Sequence, residues 1–171
     1  ISVCQVGNRL VSCYENGAVR FWDLNGCPQP GGSEEAHRGC VKGVCAAGNG
    51  LVSWGIDGAI RFWDLDGIPK PNGIDKAHYG SVMGVCVVGE HLVSWGSDNA
   101  VFFWDFEGCR LPGNREIASL SVKGMCRAGN QLVIWDKDGA IRFRCLDGIS
   151  KPVCIHEAHD GPIEGVCVAG N

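Results

Sequence analysis

Apolar and polar residues alternate in short bursts along this chain, and the bursts recur. In residues 37–77, Val41-Lys42-Gly43-Val44-Cys45 is an apolar run closed by the turn Gly48-Asn49-Gly50. Leu51-Val52-Ser53-Trp54 is a second run, and Asp57-Gly58 is a two-residue hairpin signal. Ala59 to Asp64 alternates through Ile60 and Phe62 to Trp63, which predicts a third strand. Asp66-Gly67 turns the chain again. Ile68-Pro69-Lys70-Pro71 follows, and its two prolines suit only an unpaired outer edge. The pattern predicts four short antiparallel strands.

The unit is written four times. Val19-Arg20-Phe21-Trp22-Asp23, Ile60-Arg61-Phe62-Trp63-Asp64, Val101-Phe102-Phe103-Trp104-Asp105 and Ile141-Arg142-Phe143-Arg144-Cys145 place Trp22, Trp63, Trp104 and Arg144 at steps of 41, 41 and 40 residues. Cys4, Cys45, Cys86, Cys126 and Cys167 keep the same step, as do the turns Asn16-Gly17, Asp57-Gly58, Asp98-Asn99 and Asp138-Gly139. A period near 40–45 with a Trp-Asp ending is the signature of a propeller blade. The expected fold is all-β, a β-propeller with four-stranded antiparallel blades, four per chain. The blades fall at about 1–36, 37–77, 78–117 and 118–158, with an extra first strand at 159–171. Asn8, Glu90 and Asn171 share one repeat position, so the chain reads as a segment of a longer array. An open arc of four blades exposes an apolar face at each end, and such faces pair. Two copies closing an eight-bladed ring, or association with further blades, is expected.

On these residues the chain resembles the WD-repeat β-propeller family over essentially its whole length. Ala36-His37, Ser53, Asp57 and Trp63-Asp64 match the family pattern in one unit. Ala77-His78, Ser94, Asp98 and Trp104-Asp105 match it in the next. The resemblance implies a ring of blades, commonly seven, and a hydrogen-bonded network of His37, Ser53, Asp57 and Trp63, and of His78, Ser94, Asp98 and Trp104, that pins loop to sheet. The first unit keeps Ser12 and Trp22 with Asn16 in place of Asp. The fourth has Ala118 for His, Ile134 for Ser and Arg144-Cys145 for Trp-Asp, leaving only Asp138. Its network is expected to be lost and its blade to be the least rigid. Arg144 marks either drift or a specialised contact.

Charge and cysteine usage narrow the class. The net charge is -4, with scattered Lys and Arg, so no footprint for nucleic acid or an anionic membrane surface is present. No stretch approaches the roughly 18 apolar residues of a membrane span. Eleven cysteines is a high count. The odd number and the shared register of five inside apolar strands argue for small buried hydrophobes in a reducing compartment. That places the protein in the cytoplasm.

His, Ser and Asp together invite a hydrolase reading. An enzyme needs one such site, whereas this set repeats, and no G-x-S-x-G turn exposes a nucleophile. No catalytic residue is expected. Cys154, His156 and His159 offer three zinc ligands at a spacing that matches no zinc motif. Asp136-Lys137-Asp138-Gly139 lacks the remaining ligands of a calcium loop and reads as a hairpin. Neither a metal nor a cofactor is expected. Trp54, Trp95 and Trp135 recur in strand two, and Gly43, Gly84 and Gly124 in strand one, as a large-to-small packing exchange. Cys13 takes the Trp position in the first unit, where poorer packing is expected.

The function that follows is a non-catalytic scaffold or sensor module for protein or peptide partners. The family's usual binding rim maps here onto Arg38, Tyr79 and Asp160 beside the His positions, Lys42, Met83, Lys123 and Glu164 along strand one, and Ile56, Ser97 and Lys137 in the hairpins. These positions vary while their neighbours repeat. The alternative is a propeller binding small ligands or glycans, with the recurrent Trp side chains as stacking platforms.

Overall fold

The computed structural model describes residues 2–117, 122–145, 153–155 and 158–166. These form four antiparallel sheets, each a meander in chain order. The first contains β1 (Ser2–Val6), β2 (Arg9–Cys13), β3 (Val19–Asp23) and β4 (Pro28–Ser33). The second contains β5 (Val41–Ala47), β6 (Gly50–Gly55) and β7 (Ile60–Trp63). The third contains β8 (Val82–Val88), β9 (His91–Gly96), β10 (Ala100–Trp104) and β11 (Arg110–Ile117). The fourth contains β12 (Val122–Ala128), β13 (Gln131–Asp136), β14 (Ile141–Cys145) and β15 (Val153–Ile155). The described residues include no helix long and apolar enough to cross a membrane.

The second sheet departs from the expected four strands. Its outer segment makes only isolated bridges, Ile60 to Ile74 and Trp63 to Pro69. Pro69 and Pro71 limit the ladder by lacking an N–H, but they do not by themselves forbid a strand, since β4 pairs with β3 through Pro28 and Pro30 at the same repeat positions.

Turn chemistry sets the registers. The hairpins between the second and third strands pass through Gly17, Gly58, Asn99 and Gly139, all with positive φ, which Gly and Asn adopt at least cost. Asp23, Asp64 and Asp105 close the next turn. Each Oδ1 accepts two backbone N–H groups, for instance those of Asp66 and Ile68 at 2.9 and 2.8 Å. The Asp of the Trp-Asp pair therefore ends the third strand rather than joining a site.

The innermost strands pack in the row β1, β5, β8, β12. Between them lie three apolar cores. Val11, Cys13, Val19 and Phe21 meet Val41, Val44, Leu51 and Trp63. Val52, Trp54, Ile60 and Phe62 meet Val82, Val85, Leu92 and Trp104. Val88, Val93, Trp95 and Val101 meet Met125, Leu132 and Ile134. Three cores join four sheets into an open row, because among the described residues no comparable core links the fourth to the first.

Inside each of the last three sheets a Trp lies over a Gly. A Cβ on Gly43 or Gly124 would fall within 2.8 or 2.6 Å of the indole Cε2 of Trp54 or Trp135. In the first sheet Ser2 stands opposite Cys13. The strand-one residue is larger there because the strand-two residue is smaller. Cys13 is fully buried in the core, and Ser2 in place of glycine restores only part of the volume that Trp fills in the other sheets.

Candidate functional site

Each network is built from one loop, two strands and the hairpin that joins them. In the second blade the His37 ring, carried on the loop before β5, reaches Asp57 in the β6–β7 hairpin at 3.0 Å through Nδ1. Its Nε2 reaches Ser53 of β6 at 2.8 Å. Trp63 of β7 donates its indole N–H to Ser53 Oγ at 3.0 Å. The third blade repeats this: His78 to Asp98 at 2.8 Å, His78 to Ser94 at 2.8 Å, and Trp104 to Ser94 at 2.8 Å. One proton arrangement satisfies every atom. The indole donates to serine, serine donates to Nε2, and Nδ1–H donates to the carboxylate.

Electrostatics agree with that arrangement. Burial lowers the pKa of His37 below its ordinary 6.5, outweighing the pull of Asp57 in the other direction. His78 is lowered the same way against the pull of Asp98. Burial alone would raise Asp57 and Asp98, but donated hydrogen bonds from the imidazole and from backbone N–H groups bring both below 3.8. Neutral imidazole beside carboxylate leaves no uncompensated buried charge. Serine stays locked between two partners and is buried completely in both blades. This geometry rigidifies and offers no open position for a substrate.

The first and fourth blades solve the same problem differently. A Cβ on Gly55 would meet His37 Nδ1 at 2.9 Å, and one on Gly96 would meet the His78 ring at 2.6 Å, so glycine there is the condition for histidine. Where the sequence supplies another residue at that position, its side chain enters the network. In the first blade Trp22 donates to Ser12 at 2.7 Å and Ser12 donates to the Tyr14 hydroxyl at 3.3 Å. In the fourth, Asp136 is fully buried. Its Oδ1 accepts from the backbone N–H of Asp138 and Ala140, and its Oδ2 pairs with Arg142. The expectation that only Asp138 survives there is corrected: Asp138 is exposed and Asp136 carries a substitute network. Ala118, at the His position, lies outside the described residues. The signal that could have found this is the residue after Cys13, Trp54, Trp95 and Trp135: Tyr, Gly, Gly and Asp.

The network also holds the rim. The second oxygen of Asp57 accepts the backbone N–H of Arg38 at 3.0 Å, and that of Asp98 accepts Tyr79 N–H at 3.0 Å. Lys42, Met83 and Lys123 sit at β-bulges between the first and second strands, which turn their side chains out of the ladder. Ile56 lies over Gly39, and Ser97 over Gly80. Arg38, Lys42, Ile56, Tyr79, Met83, Ser97, Lys123, Lys137, Asp160 and Glu164 are all exposed. Tyr79 is 98% exposed. Ser81, between Tyr79 and Met83, contacts the Ile56 carbonyl at 3.5 Å, so these three apolar side chains flank one joint between the second and third blades. Lys123 and Glu164 pair with each other at 3.7 Å.

No protein-family model matches the chain, and no curated protein matches it in sequence. Solved structures do match in shape. The computationally designed Ika8 protein superposes with a TM-score of 0.75 at 21% identity, over 99% of this chain and 52% of that one. A chain of the mitotic checkpoint complex gives 0.78 at 23% identity, over 95% and 55%. The designed Ika4 protein gives 0.69 at 21% identity, over 84% and 89%. The chain thus spans about half the length of the Ika8 and checkpoint-complex chains.

The architecture is a β-propeller. Its sheets are blades and its row of β1, β5, β8 and β12 is the channel side. Within the propeller, Trp54, Trp95 and Trp135 are buried between or inside blades, so they offer no exposed stacking platform to a glycan. Among the described residues no group of His, Cys, Asp and Glu could hold a metal. His156, one of the three zinc candidates, lies outside the described residues.

Proposed function

We propose that the protein is a non-catalytic interaction module of the WD-repeat type, one propeller segment over residues 1–171, working in the cytoplasm and binding a protein or peptide on its rim. The observation that carries this is the apolar trio Ile56, Tyr79 and Met83, exposed beside one joint where Asp98 holds the Tyr79 backbone N–H. Arg38 and Lys42 border it on the second blade. An apolar anchor residue with a flanking acidic group is the peptide chemistry that such a surface fits. Cys4, Cys45, Cys86 and Cys126 recur at one register of the innermost strands, as small apolar side chains of a reducing compartment would. The open row of blades is completed by a second copy, closing an eight-bladed ring.

Panning a random-peptide display library on the chain tests the rim. Enriched peptides should carry an aromatic or aliphatic anchor beside Asp or Glu, and should lose binding to Tyr79→Ala and Lys42→Glu chains. Peptides that bind both variants as well as the parent would refute the assignment.

A further inference from the structure

The bulge residues of the innermost strands form a row that crosses the joints between blades. Lys42, Met83, Lys123 and Glu164 stand three residues before Cys45, Cys86, Cys126 and Cys167, so they share one repeat position. Lys123 Nζ lies 3.7 Å from Glu164 Oε1, which shows that long side chains at this position meet across a joint. At the joint between the second and third blades the same position offers Lys42 and Met83, a cation beside an apolar side chain. Met83 is 49% exposed, and Lys42 is exposed with no acidic partner among the described residues. The row therefore holds one paired cation, Lys123, and one left to solvent, Lys42, with an apolar surface between them.

We propose that the rim takes an extended peptide with a carboxylate at one position and an aliphatic side chain two positions on, the carboxylate against Lys42 and the aliphatic group against Met83. The spacing follows from geometry. An extended chain returns a side chain to the same face every second residue, about 7 Å along, and β5 and β8 approach within 8 Å, Cα to Cα. The next peptide residue on that face, four beyond the carboxylate, falls over Lys123, where Glu164 already supplies the anion. Glu164 is thus a built-in competitor, and a second acidic residue of the peptide gains nothing there. Charge complementarity favours this occupant. Arg38, four residues before Lys42, also has no acidic partner among the described residues, although the chain as a whole carries a net charge of -4. The proposal rests on the reading of the rim as a peptide-binding surface, and it adds the register and the charge pattern.

Fluorescence anisotropy of labelled peptides on the full chain tests it. Ser-Asp-Ser-Leu-Ser-Ser-Ser carries the two-residue spacing, Ser-Ser-Asp-Leu-Ser-Ser-Ser places the acid beside the leucine, and Ser-Asp-Ser-Leu-Ser-Asp-Ser adds the second acid. The first should bind about threefold tighter than the second, the scale of an exposed ion pair, and Lys42→Gln should abolish that difference. Lys70→Gln should preserve it, because Lys70 donates to Asn49 in the β5–β6 turn, at the far end of the same blade. The third peptide should match the first on the parent chain and exceed it about threefold on a Glu164→Gln chain. Equal binding of the first two peptides to the parent, or a preference that survives Lys42→Gln, overturns the register. If none of the three binds, the register falls alone when library-selected peptides still lose binding to Tyr79→Ala chains. If those peptides are also indifferent to Tyr79→Ala, the rim reading falls with it.

Discussion

Asp98 accepts the backbone N–H of Tyr79 at 3.0 Å while its other oxygen takes the proton of His78 Nδ1 at 2.8 Å. A half-buried carboxylate thereby ties the buried His78 to the backbone that carries the most exposed aromatic side chain of the rim. Asp98→Ala removes an acceptor from His78, Tyr79 and Ala100 together. The expected loss is about 3 kcal/mol, near 1 for each hydrogen bond. Denaturant midpoints read that loss, and amide exchange at Tyr79 should quicken in the same variant.

Acid should loosen the blades in two stages. His37 and His78 have folded-state pKa values below the 6.5 of the unfolded chain. The unfolded state therefore binds protons first, and stability falls as pH drops from 6.5 toward the lowered values. Asp57, Asp98 and Asp136 are lowered below 3.8; their contribution is present above 3.8 and is lost as pH falls through their folded values. Thermal midpoints should be flat above pH 7 and decline below 6.5. A His78→Gln chain should show a shallower decline between pH 6.5 and 5.

The Trp-over-Gly exchange predicts a coupled pair. Gly84→Ala drives a methyl into the Trp95 ring and should cost about 2 kcal/mol, the usual scale of overpacking. Gly84→Ser with Trp95→Cys copies the Ser2 and Cys13 arrangement of the first blade. Its cost should be smaller than the sum of the two single changes, a non-additivity that a double-mutant cycle measures. Strict additivity would refute the exchange.

Two tryptophans of similar burial should respond differently to the same change. Trp63 donates to Ser53, whereas the indole N–H of Trp54 has no hydrogen-bond acceptor among the described residues. Trp63→Phe should therefore destabilise by about 1 kcal/mol more than Trp54→Phe, the net worth of one buried hydrogen bond. Paired urea titrations give that difference directly.

Local chemistry was legible in the chain: strand runs, hairpins at Asp57-Gly58 and its equivalents, and the joint recurrence of His, Ser, Asp and Trp. Each of these rests on neighbours in sequence or on the repeat itself. The roles of Tyr14 and Asp136 were less legible, because they depend on a cavity that the His ring fills in the second and third blades. A residue type alone does not reveal which space it enters. The bulges at Lys42, Met83 and Lys123 were hidden for a related reason: the alternation of the apolar run continues across them, and only the pairing to the next strand exposes the extra residue.

By itself the sequence determined the repeat, its 40–41-residue step, the turn positions and the identity of the networked residues of the second and third blades, since backbone sterics and alternation act over a few residues. The tertiary structure alone decided which faces are covered. Val3 and Val44 are the same residue in the same strand position, yet one is exposed and the other buried. Burial is a property of the neighbouring blade, and no local pattern encodes whether that neighbour is present.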